Sequence, residues 1–230
     1  MSEELTLFEW LAEDGYTKEA EIIKKYYRNA VHIYYRVSPD GVPVGASKSG
    51  GCPDLPPEME LPDMPLVVQI NLYELAESGA DVENLLPKTG ILYIFWNYEI
   101  EDKCKYDVIY WNGDMSTLRH CGNSGKEEYA IEFEVHGGRI YEEYDEKGVY
   151  CEGLRDLVAN YGYDPDALVE SDDKLLGYPI DRNKIFEAED VLLFQFDCHE
   201  GCIWKVYWII KKSDLKNLDF SRVLIDFDMD

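Results

Sequence analysis

What most constrains the fold of this chain is a series of short apolar runs that are either continuous or alternate with period two. VHIYYRV at 31–37, LVVQINL at 66–72, ILYIFWN at 91–97, YDVIYW at 106–111, VLLFQFD at 191–197, IWKVYWII at 203–210 and VLIDFDMD at 223–230 are rich in β-branched and aromatic residues. Each is shorter than a stable helix and is bounded by turn-forming residues, so each predicts a strand. Two of them carry an amide in the middle, Gln69 in LVVQINL and Gln195 in LLFQFDC. A buried primary amide offers two donors and a carbonyl and loses about 1–3 kcal/mol if left unpaired. Gln69 and Gln195 are therefore expected to clamp backbone where a loop crosses a strand, with a ligand-facing role as the alternative.

Helical spacing is confined to a few segments. Thr6 to Glu9 has the form of a capping box, Gly15 can close the helix that follows, and residues 17–30 place Ile23, Tyr26, Tyr27 and Ala30 on one face. A short helix fits Tyr73–Glu77, helical character returns at 152–176, and SDLKNLD at 213–219 suits a brief helix. Gly137-Gly138 between AIEFEVH and RIYEEY reads as a two-residue hairpin turn. The two Gln-bearing stretches, each leading to an aromatic strand, read as an internal repeat. The expectation is an α+β fold with largely antiparallel sheets in a duplicated arrangement, an N-terminal helical segment over 1–30, and one domain over 31–230 with repeats at about 44–150 and 151–230.

Charge narrows the function. The formal net charge is −25 at pH 7, from 47 acidic and 22 basic residues. Nucleic acid binding needs a clustered cationic surface, and nothing longer than a Lys-Lys pair is present. Such acidity serves solubility by self-repulsion or steers a cationic protein onto the surface. No apolar run approaches the ~20 residues that cross a bilayer, and MSEELTLFEWLAEDG carries acids where a signal peptide carries Lys or Arg. A cytoplasmic protein with reduced thiols is expected, its six cysteines being scattered without a CxxC pair.

Catalytic motifs fail on inspection. Gly45-Ala-Ser47-Lys-Ser49 lacks the last Gly of a nucleophile elbow, Ser171-Asp-Asp-Lys174 lacks companion motifs, and Gly122-Asn-Ser-Gly125-Lys126 lacks the spacing and the hydroxyl of a phosphate loop. Cys198, His199, Glu200 and Cys202 collect metal-ligand types closely, but zinc takes four ligands in separated pairs, and His120-Cys121 would have to complete the set. Asp226, Asp228 and Asp230 alternate with Ile225, Phe227 and Met229 and read as the solvated face of a strand. No catalytic residue and no cofactor is assigned. The long Pro- and Gly-rich loop 42–65 is the remaining candidate: Gly50 and Gly51 permit close backbone approach and Asp54 supplies charge, as suits a binding rim or a rigid connector.

Six segments in order, SKSGGCPDLP at 47–56, PLVVQINLYEL at 65–75, LPKTGILYIFW at 86–96, LLGYP at 175–179, LLFQFD at 192–197 and LDFSRV at 218–223, resemble successive signatures of the YwqG-like family of bacterial proteins. The resemblance spans roughly residues 44–230 and implies an α+β fold with a duplicated sheet unit and no assigned activity. Leu61-Pro62 stands where that family tends to have Trp-Pro, and Ile203-Trp204-Lys205 shortens its Trp-Gly-Asp element. Gly50, Gly51, Asp54, Gln69 and Gln195 are the candidate binding residues. The expected function is a non-enzymatic acidic module, of the immunity or antitoxin kind, for a cationic protein. The alternative is a small-molecule binder or hydrolase with its site between the two repeats, near Gly50-Gly51.

Overall fold

The computed structural model describes residues 7–97, 105–122, 125, 127–140, 173–179, 187–200 and 203–229. Helices α1 (Leu7–Glu13) and α2 (Thr17–Tyr26) open the chain. Gly15, at φ +89°, turns the backbone between them, and Leu11 is wholly buried. Phe8 stands edge-on to Tyr27 with ring centroids 5.1 Å apart, which fastens α1 to the first strand. The Thr6 end of the expected capping box lies outside the described residues, as do the side chains of Ile23 and Tyr26. The second helix stops at Tyr26, four residues before the predicted end, because Tyr27 already pairs with Ile140.

Twelve strands are described: β1 (Tyr27–Val37), β2 (Lys48–Gly50), β3 (Asp54–Leu55), β4 (Leu66–Asn71), β5 (Ile91–Asn97), β6 (Lys105–Trp111), β7 (Arg119–His120), β8 (Glu128–Ile140), β9 (Lys174–Leu176), β10 (Asp190–Glu200), β11 (Ile203–Lys211) and β12 (Leu224–Met229). Ten form one antiparallel sheet in the order β12-β11-β10-β9-β1-β8-β2-β4-β5-β6, and β3 pairs separately with β7. Helix α3 (Leu72–Ser78) follows β4, and α4 (Lys212–Lys216) follows β11. Asn71 caps α3 by accepting from the amides of Tyr73 and Glu74, and Gly79 ends it in the left-handed region at φ +71°.

This architecture corrects the α+β expectation and its duplicated repeat: the chain is mostly β, and the two Gln-bearing stretches lie in one continuous sheet. The reason is the long central pairing of β1 with β8, from Tyr27↔Ile140 to Val37↔Tyr129, which joins the two flanks and leaves no edge between them. Gly137 and Gly138 do not turn the chain. They sit inside β8, where the register passes from Arg28↔Arg139 to Ala30↔His136 and two residues oppose Asn29, a bulge that glycine accommodates. Of the helix expected at 152–176, residues 152–172 lie outside the described residues, and Lys174–Leu176 is a strand.

The sheet curls until its ends meet. Tyr106 on β6 donates its hydroxyl to the Val223 carbonyl at 3.1 Å, and Tyr110 lies 5.4 Å from the Phe220 ring, in the 3-10 turn just before β12. The concave side is filled by one apolar core that draws Val31, Ile33, Ile94, Trp96, Phe194 and Trp208 from both flanks. Ile225 and Phe227 of β12 pack against it while Asp226 faces out, as the alternation predicts; Asp230 lies outside the described residues. No helix among the described residues is long and apolar enough to cross a membrane.

Candidate functional site

The 42–65 loop folds back over the convex side of β4, β5 and β6. Leu55 joins Leu66, Ile91, Tyr93, Phe95 and Leu118 in a second apolar cluster, with Met59 and Met64 packed against it. The loop is thus a cover for the second face of a sheet whose strands are apolar on both sides, which is why LVVQIN and ILYIFWN read as nearly continuous apolar runs.

Beneath that cover lies a polar cluster. Lys48 pairs in register with Gln69 and Ala130, so its side chain falls on the covered face. Its ammonium is 2.9 Å from Asp54 Oδ1 and 3.5 Å from Glu128 Oε2, and the side chains of Lys48 and Asp54 are both 0% exposed. Asp54 also accepts from Gly45 N at 2.9 Å and Gln69 Nε2 at 3.0 Å on Oδ2, and from His120 Nδ1 at 2.9 Å on Oδ1. Burial alone would raise the Asp54 carboxyl, but the hydrogen bonds from Gln69, Gly45, Lys48 and His120 outweigh it and hold the group below the ordinary carboxylate value.

The amide of Gln69 is fully used. Its carbonyl accepts from Asp54 N at 2.8 Å, and its NH2 group donates to Ala46 O at 2.8 Å as well as to Asp54. Tyr93 donates its hydroxyl to Asp54 O at 2.6 Å, and burial with the nearby Asp54 charge pushes that phenol up. Ser47, the centre of the failed nucleophile elbow, is buried and accepts from Asn71 N at 2.8 Å. Cys121, on the same side, is pushed up by burial and by Asp54 and Cys52, so it stays a thiol.

His120 is the cluster's opening to solvent, with its side chain 40% exposed. With Nδ1–H donating to Asp54 the tautomer is set and Nε2 is left as the acceptor. The 3.4 Å approach of Lys48 Nζ to the same ring nitrogen is then a close contact and not a hydrogen bond.

Of the residues singled out in the sequence, Asp54, Gln69, Gly50 and Gly51 come together here. Gly50 and Gly51 have φ +69° and +65°, and a Cβ would lie 2.6 Å from Glu127 O at the first and 2.8 Å from Glu128 Cβ at the second. Their close backbone approach is toward β8. Gln195 is elsewhere, on β10 with four strands between it and β4, paired with Lys174 and Tyr207 much as Gln69 is paired with Lys48 and Tyr93. That shared row answers why a strand carries Gln twice: in each the amide sits between a lysine strand and a tyrosine strand on the convex face. Lys48, Glu128 and Tyr93 escaped the sequence reading, and His120 entered it only as a metal-ligand candidate. Lys48 stood inside the quoted SKSGGCPDLP, but nothing local tells a buried lysine from a surface one.

Cys198 packs against the main core, while Cys202 and the side chain of His199 lie outside the described residues. His120 faces Asp54, and the Cys121 thiol donates to Arg119 O at 3.6 Å. Among the described residues no group of three His, Cys, Asp or Glu side chains is arranged to hold a metal.

The outer surface of the loop has a different character. Glu58, Glu60 and Asp63 are exposed along a stretch framed by Pro56, Pro57, Pro62 and Pro65, with Leu61 50% exposed between them. Trp111 Nε1 reaches Glu58 Oε1 at 3.4 Å, and no cation among the described residues pairs with any of the three carboxylates. Met59 and Met64 anchor the strip from below.

A search among curated proteins returns no match to the chain. The profile of the family described as "Domain of unknown function (DUF1963)" matches residues 47–228, from the start of the SKSGG segment into β12, and the chain belongs to that family.

Proposed function

We propose that the protein is a non-enzymatic, cytoplasmic binding module that takes a cationic protein partner on the acidic strip of the 56–65 loop, acting as an immunity or antitoxin protein does. The order of its motifs also supports a YwqG-like member of the family. The observation that carries the reading is the uncompensated trio Glu58, Glu60 and Asp63 on a loop fixed by prolines, buried methionines and the Asp54 cluster. A preorganised strip of one sign loses little entropy on binding and raises the encounter rate with an opposite charge. Half-exposed Leu61 supplies apolar area in the middle of the strip. The filled concave core speaks against a ligand site between the two flanks. Capture from native lysate at about 0.1 M salt, within the range where a Debye length of about 10 Å leaves surface charge effective, is expected to recover a basic protein. Its release at high salt supports the reading, and repeated recovery of no basic protein rejects it.

The His120 geometry favours a second reading, hydrolase-like acid–base chemistry near Gly50-Gly51, since a buried carboxylate orients through Nδ1 an imidazole whose side chain is 40% exposed. Hydrolysis of p-nitrophenyl acetate tests it: a rate unchanged by His120→Gln discards this reading.

A further inference from the structure

At the end of the sheet away from the acidic strip, the start of β1, the end of β9 and the junction of β11 with α4 surround a cleft of ≈ 420 Å³. Clefts of this size hold small molecules, with an apolar floor and a few polar groups at the rim. Here the floor is Leu85, Val191 and Tyr27, and the rim carries Arg28 and Lys212 together with Glu83 and Glu189. Two cations at one cleft stand out on a surface dominated by carboxylates.

The rim groups are unequally committed. Arg28 is fixed: its Nη1 donates to Asp190 O at 2.6 Å, its Nη2 to Ala188 O at 2.9 Å, and its guanidinium lies 4.7 Å from the centroid of the Tyr178 ring. It contributes positive potential in a set position. Lys212, the first residue of α4, has no side-chain partner among the described residues. Glu83 holds Asn29 through Oε1 alone, accepting from the backbone N at 3.1 Å and from Nδ2 at 3.4 Å, and its Oε2 has no partner among the described residues. Glu189 likewise has no side-chain partner among the described residues, so one uncommitted ammonium and two carboxylates with uncommitted oxygens flank an apolar floor.

We propose that this cleft binds a small zwitterion with an apolar body, of the size of an amino acid or dipeptide, its carboxylate on Lys212 in the field of Arg28 and its ammonium on Glu83. The apolar part lies on Leu85 and Val191. A ligand with a single charge would leave the rim groups of one sign unanswered, so both charges are required.

Isothermal titration calorimetry with L-leucyl-L-leucine tests the proposal. Saturable binding with Kd below about 1 mM is expected, weakened at least about tenfold, or 1.4 kcal/mol, by Lys212→Met and likewise by Glu83→Gln. Isoamylamine and isocaproate, which carry one charge each, are expected to bind at least about tenfold more weakly. Glu83→Gln keeps an acceptor for Asn29, so unchanged melting of that variant separates lost binding from lost folding. No saturable heat up to about 10 mM, binding that survives both substitutions, or equal binding of a singly charged probe would overturn the proposal.

Discussion

Replacing Asp54 by Asn strips the buried cluster of its only fully enclosed carboxylate. The amide can accept on one atom where the carboxylate accepted on two, and its NH2 group faces donors from Gly45 and Gln69 or from Lys48 and His120. Lys48, 0% exposed, keeps Glu128 as its remaining carboxylate, at 3.5 Å. Breaking a buried pair from one side costs about 3–5 kcal/mol, and the residual Glu128 contact argues for the lower end, about 3 kcal/mol. At about 2–4 °C per kcal/mol for a chain of this size, the melting temperature falls by about 6–12 °C. Urea unfolding is the assay, with a lower midpoint and an unchanged slope expected. The pH dependence has a definite sign. Because the folded carboxyl lies below its unfolded value of about 3.9, its stabilisation is complete above that value. It disappears as pH falls through the depressed folded value, so the gap between wild type and variant closes in acid. A loss under about 1 kcal/mol at pH 7, or a gap that widens in acid, would refute the reasoning.

Other substitutions separate the parts of the account. Gln69→Leu leaves Asp54 N and Ala46 O unpaired and is expected to cost about 2–3 kcal/mol by denaturant titration; unchanged stability would remove the clamp role. Gly51→Ala forces a side chain into the left-handed region and to 2.8 Å from Glu128 Cβ, so a thermal melt should show a loss of about 2 kcal/mol or more. Glu132→Gln breaks an ion pair with Arg36 whose side chains are both 60% exposed, and a change within about 0.5 kcal/mol is expected in the same melt.

Short apolar runs, continuous or alternating, marked eight of the twelve described strands, because the burial of one or both faces is written locally, whereas β2, β3, β7 and β9, two or three residues each, left no such run. Asn71 and Gly79 likewise mark the short helix after β4 through local capping chemistry. What stayed hidden was nonlocal. Gly137-Gly138 has the local signature of a hairpin, and only the register of β8 against β1 reveals a bulge. Strand pairing across β1 and β8 makes one sheet from two similar stretches, and no pattern within either stretch specifies it. At the site, Asp54, Gln69 and the two glycines were legible as unusual residues in an apolar or Pro-rich setting. The bond of Asp54 to His120 spans 66 positions in the chain and depends on the β3–β7 pairing, which two-residue strands do not announce. Lys48 was invisible for the same reason: its burial is created by a loop that returns over it.

The measurement that bears most directly on the acidic strip compares three baits in one native lysate: wild type, the triple variant Glu58→Lys, Glu60→Lys, Asp63→Lys, and a control with the same change of net charge at exposed Glu13, Glu21 and Glu77. A basic protein captured by wild type and by the control, and lost from the strip variant, is the expected result. Equal loss from both variants, or equal capture by all three, would contradict a partner site on this loop.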